Sequence, residues 1–451
     1  MDNISRYKKG GFQQLLSISI PLMISGLSGH IMMFVDRLIL SHYSTLAMDS
    51  VAASGLVAYI FILAIISIAS MSEIFVGQYN GAKQYKKTSE PVWQMIWFSI
   101  GSSIIIYPIA FLGGKFLIPE SLWEDGLPYF YWIMCFIPLY GCSASLSSFF
   151  AAIGRPNIIS IAAIISNIIN FLLAIILIFG YKNIVPSLGA KGAAIASVVG
   201  ISVQFFILIF AYCSKDIRTK YDSLKITWNK SLFIQCIKIG YPSSIGHTLE
   251  LLCWVCIFHI AAFGGERFIT VLTVGQNFLL LFVFLTEGMQ KAAIAISSNL
   301  IGSGDGDKIN NFLKSAIILH LIIIISLALP LVVFADKLMF LFDINHTSPL
   351  YEQCIISVFF VWVYFIFDGM VWTISGILTS AGDTKFIMLA NASCAWIFGV
   401  APTLIAMRYF SIEPYYLWMN TALYCFINLI IFILRYKYGN WKKVILIKNA
   451  L

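Results

Sequence analysis

Twelve stretches of this chain are each long and apolar enough to cross a lipid bilayer, and they leave little else to fold. A spanning helix needs about 20 predominantly apolar residues, because the hydrocarbon core is about 30 Å thick and each helical residue rises about 1.5 Å. The runs fall at roughly 12–40, 51–79, 91–118, 127–153, 157–181, 189–213, 231–263, 268–301, 309–336, 351–380, 385–408 and 415–436. Backbone groups in lipid must be satisfied within their own segment, so such runs are expected to be helices. Charged residues are only 11% of the chain, against about 25% in globular domains, which excludes a soluble fold. The predicted fold class is an all-α integral membrane protein with twelve transmembrane helices. The segment 1–11 is short and basic, and no small-residue cleavage site follows the first apolar run, so that run is read as a helix rather than a signal peptide.

The net charge of +8 reports topology rather than a nucleic-acid partner. With the N-terminus inside, 21 of the 29 basic residues fall on one side, from Arg6, Lys8 and Lys9 to the tail residues Lys442, Lys443 and Lys448. The opposite loops hold six: Lys115, Lys182, Lys191, Arg267, Lys337 and Arg408. Cytoplasmic loops carry such an excess of Lys and Arg, so both termini are expected in the cytoplasm of a multi-pass plasma membrane protein. The nine cysteines lie in or at the ends of apolar runs and read as packing residues, including the Cys253–Cys256 pair.

The chain repeats itself. Pro21 precedes Gly81 by 60 residues, and Pro242 precedes Gly302 by 60, so both landmarks recur at an offset of 221. Ala152-Ile153-Gly154-Arg155-Pro156 after the fourth run is matched by Ser380-Ala381-Gly382-Asp383-Thr384 after the tenth, at an offset of 228. Six helices per half make the repeats parallel, related by an axis along the membrane normal. The expected architecture is two pseudo-symmetric six-helix bundles: an N-terminal lobe (1–213), a basic cytoplasmic linker (214–230) and a C-terminal lobe (231–451).

Against that apolar background, acidic residues at membrane depth are the candidate site. A charge at the bilayer centre costs about 2.5–3.5 kcal/mol on insertion scales, so such residues mark pathways or sites. Glu250 lies about halfway along the seventh run, with His247 and Cys253 three residues to either side on the same helical face. Asp368 lies within the tenth run. Burial disfavours a charged carboxylate, which lets it exchange a proton, and carboxylate oxygens also suit hard cations such as sodium. Glu250 and Asp368 are therefore candidates for holding a coupling ion, either sodium or a proton. Glu287 and Lys291, spaced i,i+4 on the eighth run, read as an ion pair or as lining for a cavity. Gln276, Asn277, Asn391 and Asn170 are further candidates to line it, since amides in apolar runs bond across helices or face a cavity. Asp36 sits near the end of the first run beside Arg37, where the two charges can neutralise each other at the interface, and Glu73 in the second run is left open. Nothing reads as a nucleophile–base set, a zinc motif or a phosphate cradle, and the Gly302–Asp307 loop lacks the lysine and strand of a P-loop. No enzyme activity and no resident cofactor are expected.

These landmarks resemble the multidrug and toxic compound extrusion (MATE) transporters. Phe34-Val35-Asp36-Arg37 is similar to the family's Val-Asp in the first helix, and Gln78-x-x-Gly81-Ala82 and Ala152-x-Gly154-x-Pro156 are similar to its signatures after the second and fourth. Gly240-Tyr241-Pro242 followed eight residues later by Glu250, and Asp368 fourteen residues before Gly382, resemble the NorM-type branch. The resemblance implies a cation site at Glu250 and Asp368 in the C-terminal lobe, with Asp36 as the acidic residue of the N-terminal lobe. Two positions depart from the pattern. Ala174 stands where Asp or Asn is frequent, and Arg37 stands where a small polar residue is commoner, which moves the weight to the C-terminal carboxylates.

The expected function is a cation-coupled antiporter that exports small organic cations by alternating access, as a monomer among membrane lipids and without a nucleic-acid partner. A lipid-linked precursor flippase of the same superfamily, and a non-transporting membrane receptor or scaffold, are the alternatives.

Overall fold

The computed structural model describes residues 3–182, 184–342, 344, 346–443 and 446–447. Lys448, counted above among the basic residues, lies outside the described residues.

Among the described residues, eleven continuous helices and one bent pair are long and apolar enough to span a membrane. In chain order they are α1 (Phe12–Tyr43), α2 (Thr45–Gly81), α3 (Tyr85–Leu117), α4 (Glu120–Cys135 with Ile137–Ala152), α5 (Asn157–Phe179), α6 (Gly189–Tyr212), α7 (Lys230–Phe263), α8 (Glu266–Gly302), α9 (Gly306–Val333), α10 (Tyr351–Ser380), α11 (Thr384–Tyr409) and α12 (Tyr416–Tyr438). The fourth run is bent rather than straight: α4 turns by 46° at Phe136. Pro138 explains it, since proline has no N–H to bond the carbonyl of Met134 and its ring crowds that carbonyl. The second helix starts at Thr45 rather than near residue 51, because Ser44 caps it by accepting a hydrogen bond from the Ala47 amide at 3.3 Å.

The two halves repeat in three dimensions. After α2 the Gln84 amide bonds back to the Tyr79 carbonyl, and after α8 the Asp305 amide bonds back to Leu300, at the same offset of 221. The left-handed residues in those turns, Lys83 and Gly304, share that offset. The Arg155 amide bonds to Phe150 after α4 and the Asp383 amide to Leu378 after α10, with left-handed Gly154 and Gly382 between. All four are Schellman-type helix ends. Repeated motifs thus became repeated caps.

The halves meet along α2 and α8 near the end that carries both termini. A Cβ at Gly81 would lie 2.1 Å from the Asn299 carbonyl oxygen, and one at Gly302 would lie 2.0 Å from that of Gln78. The two contacts are one contact repeated about the pseudo-twofold axis, since Gln78 and Asn299 also differ by 221 positions. The Asn80 side-chain amide donates to Asn299 Oδ1 at 2.7 Å across the same seam. At this end one apolar cluster joins Ala69, Ile74 and Phe75 to Leu232, Cys236 and Ile294, bridging the halves. Two clusters in the opposite half of the membrane, around Phe130 and around Ala174, contain N-terminal residues alone. The molecule is sealed at the terminal end and parts beyond it. Its periphery exposes large apolar side chains such as Phe116, Ile104 and Ile325, as contact with lipid tails requires.

Candidate functional site

Asp368 is the best-buried carboxylate of the tenth helix, 3% exposed. Residues four apart share a helical face, and here Tyr364 Oη and Trp372 Nε1 both donate to Asp368 Oδ1, each at 2.9 Å. The other oxygen, Oδ2, is buried with no donor in hydrogen-bond geometry among the described residues; the Thr286 hydroxyl lies close to the carboxyl but donates to the Val283 carbonyl. Asp368 lines a small cavity of about 30 Å³ with Glu250, Ser375, Asn391, Tyr424 and Asn428, among others. Asn428 donates to Asn391 Oδ1 at 3.0 Å, while its own Oδ1 is a second buried acceptor without a donor. Buried polar atoms are nearly always satisfied. Two unsatisfied acceptors, one of them on the Asp368 carboxyl itself, thus belong to one cavity with Glu250.

The backbone around the cavity is shaped to admit Glu250. Thr384 Oγ1 donates to the Ile239 carbonyl at 2.7 Å, tying the start of α11 to α7. Further along, Ala395–Val400 widens into a π-helical turn just before Pro402, which cannot donate the next helical bond. That turn offers the Ala395 carbonyl to the Cys253 thiol at 3.6 Å, and Trp396 Nε1 donates to the Leu249 carbonyl at 3.3 Å. Cys253 is therefore a packing residue bonded across helices, not half of a redox pair. His247 Nδ1 lies 3.8 Å from Glu250 Oε2, and its ring stacks on Trp372 with centroids 6.3 Å apart. Glu250 and Asp368 are thus joined through one ladder of His247 and Trp372.

The other predicted residues are distributed differently. Asn391 lines the cavity, but Gln276, Asn277, Glu287 and Asn170 do not. Asn277 is exposed and Gln276 half-buried on α8, while Asn170 is buried against Gly200 of α6. Glu287 does not form the expected ion pair with Lys291. Its carboxylate turns to His30 of α1, 3.7 Å away in the other lobe, a partner that no local spacing announces. Asp36 stands apart in the N-terminal lobe, within electrostatic reach of Tyr129 and Tyr140 of α4. Among the described residues it makes no ion pair with Arg37, which is exposed. Glu73 is buried with Oε1 unpartnered, across the seam from Lys291. Tyr364, Trp372 and Asn428 were the residues not singled out as site residues. The i,i+4 spacing of Tyr364, Asp368 and Trp372 was the available signal.

Comparison with known proteins decides the family. The MatE family model matches residues 21–176 and 242–405, one segment in each half and together more than half of the chain.

The chain belongs to the MatE family.

As a MatE protein it is a multi-pass membrane protein of a transporter class. It is 22% identical over 442 residues to the probable multidrug resistance protein YoeA of Bacillus subtilis, covering 94% of this chain and 93% of that protein. It is 23% identical over 393 residues to the probable multidrug resistance protein NorM of Photorhabdus laumondii, covering 86% of each. Its fold is similar to that of an outward-facing multidrug resistance MATE family transporter, with a TM-score of 0.86 at 15% identity over 98% of this chain and 97% of that one. A MOP superfamily transporter from Pyrococcus furiosus, described as having a binding pocket of reverse polarity, superimposes with a TM-score of 0.84 at 15% identity over the same shares.

Proposed function

We propose that this MatE protein is a cation-coupled antiporter that exports small organic cations from the cytoplasm, with Glu250 and Asp368 holding the coupling ion. The observation that carries the reading is the pair of unsatisfied acceptors, Asp368 Oδ2 and Asn428 Oδ1, in one cavity with Glu250. A proton on Asp368 would turn an acceptor into a donor for Asn428. A sodium ion would take the same oxygens as ligands, which suit a hard cation. The charges within the apolar helices are mainly acidic, with Asp36, Glu73, Glu250, Glu287 and Asp368 against Arg37 and Lys291, which disfavours a flippase for anionic lipid-linked diphosphates.

Cavity size separates the coupling ion from the exported compound. About 30 Å³ fits an ion or a water, whereas drug-sized ligands need about 300–1,000 Å³. The exported cation is therefore assigned to the cleft between the lobes. Competition with the coupling ion then runs through conformation: each ligand favours a different face of the cycle, and neither shifts it without a differential affinity for the two states.

The test is efflux of a fluorescent organic cation from proteoliposomes under a sodium or a proton gradient imposed separately. Glu250→Gln and Asp368→Asn are each expected to abolish gradient-driven efflux while leaving equilibrative exchange measurable. Full gradient-driven efflux in both variants would refute the site. Movement of an anionic lipid-linked substrate, with no movement of cations, would establish the flippase reading.

A further inference from the structure

Outside the Asp368 cavity, titratable groups of the two lobes meet between α1 and α8. Pro21 to His30 of α1 lie against α8. A Cβ at Gly288 would meet Met23 at 2.4 Å, and one at Gly26 would meet Phe284 Cβ at 3.2 Å and Glu287 Oε2 at 3.9 Å. A Cβ at Gly29 would meet nothing within 4 Å, so α1 is open on that face. His30 Nε2 and Glu287 Oε2, 3.7 Å apart, stand at this edge with side chains 25% and 39% exposed. They are a titratable pair with one member in each lobe, reachable by water, at the point where the seam ends.

We propose that His30 and Glu287 form a second proton site, distinct from Glu250 and Asp368, which couples protonation directly to separation of the lobes. This rests on the transport reading only in its purpose; the pair itself is defined by geometry. With a proton on His30, the imidazolium faces the Glu287 carboxylate and holds α1 against α8, so the terminal end stays sealed. When His30 releases its proton the attraction is lost, and the lobes can part at that end.

Other ionisable groups face the pair or one another across the lobes, but among the described residues no other histidine–carboxylate pair joins them. Lys291 lies one turn along α8 from Glu287, toward the terminal end, and faces Glu73 of α2. Tyr59 of α2 is within reach of Glu287 and Glu250. His247 of α7 pairs with Glu250 on its own helix, inside the C-terminal lobe. Asp368 of α10 is turned into the cavity, and His320 of α9 is buried against the Ile366 carbonyl at 2.9 Å. From α5, Asn167 donates to Ser28 at 2.6 Å and carries no charge. Asp36 and Arg37 lie more than a turn further along α1.

The experiment measures lobe separation at the terminal end by double electron–electron resonance. Spin labels are carried on unnatural amino acids at Lys86 and Asp307, both exposed in the first turns of α3 and α9 in opposite lobes. The full-length protein is reconstituted in lipid nanodiscs without any transported substrate. In the wild type the closed-to-open ratio is expected to fall by about tenfold from pH 5 to pH 8. His30→Gln and Glu287→Gln should each flatten that response. His30→Lys, charged throughout the range, should keep the closed state at both pH values. His42→Gln, at the far end of α1 where the ring bonds the Leu38 carbonyl of its own helix, should respond as the wild type does. An unchanged pH response in His30→Gln, or a wild type that does not respond, overturns the proposal. Because no substrate is present, either outcome is independent of whether the antiport reading holds.

Discussion

At the scale of single residues, the expensive ones were legible and their partners were not. Glu250 and Asp368 announce themselves because a carboxylate in an apolar run must be compensated. Tyr364 and Trp372 do not, since aromatics are common packing residues in membrane helices; their role shows when both are seen to donate to Asp368 Oδ1. Glu287 shows the opposite failure: Lys291 at i+4 was the obvious local partner, and the actual one, His30, comes from the other lobe. The donors to Oδ1 stabilise the carboxylate while it is charged and unoccupied, so they should set how tightly the coupling ion is held. A hydrogen bond to a charged group is worth about 1.5–3 kcal/mol, or roughly ten- to a hundredfold in a binding constant. Trp372→Phe is therefore expected to lower the coupling-cation concentration for half-maximal efflux by about tenfold or more. Trp362→Phe removes a donor to the Ile324 carbonyl and should leave that concentration unchanged. Equal effects from the two substitutions would mean that Trp372 only packs.

At the scale of elements, hydropathy placed the spans and could not see their irregularities. Apolar length fixes where a helix crosses lipid, but the bend at Phe136 and the wide turn at Ala395–Val400 arise from backbone bonds that proline removes. The repeated glycines were visible as landmarks, yet their purpose lies in the packing of α2 on α8. Gly81 and Gly302 let each helix lie against the backbone of the other. Overpacking a tight contact costs about 1–3 kcal/mol. Here the cheapest relief is to separate the lobes, because each lobe's own packing is untouched. Gly81→Ala and Gly302→Ala are expected to yield folded protein whose terminal end is sprung open. The check is a cysteine placed at Ser298, which is fully buried in the seam. Its labelling by a membrane-permeant maleimide should rise severalfold in either variant, and equal labelling in parent and variants would mean the seam absorbs the methyl group.

For the whole molecule, the N-terminal segment supplies a restraint that no apolar run reveals. The Asn3 amide bonds to the Gly154 carbonyl in the N-terminal lobe at 2.9 Å. A few residues on, Lys9 reaches Asp305 in the C-terminal lobe, and Ser315 Oγ of α9 donates to the Gly10 carbonyl at 3.0 Å. Gly10, in the left-handed region at φ 71°, lies so close to Lys308 that a Cβ there would meet its carbonyl oxygen at 2.8 Å. The segment straps one lobe to the other at the sealed end. Hydrogen bonds from Lys308, Lys9 and Ser303 hold the Asp305 carboxyl well below the usual carboxylate range. A depressed carboxyl contributes its pairing above its ordinary value and loses it only as pH falls through the lowered one. The strap should therefore be indifferent to pH between 5 and 8, in contrast to the His30–Glu287 pair. Its ion pair is also exposed, with the Lys9 side chain at 47%, and such pairs are worth about 0–1 kcal/mol. In the His30→Gln background, Asp305→Asn is expected to raise the open fraction by no more than about fivefold. The increment should be the same at pH 5 and pH 8 and should vanish in 1 M salt, where the screening length is about 3 Å. The Lys86–Asp307 label pair reads it directly. An increment that grows with pH would show that the strap, and not the cleft, carries the proton dependence of lobe closure.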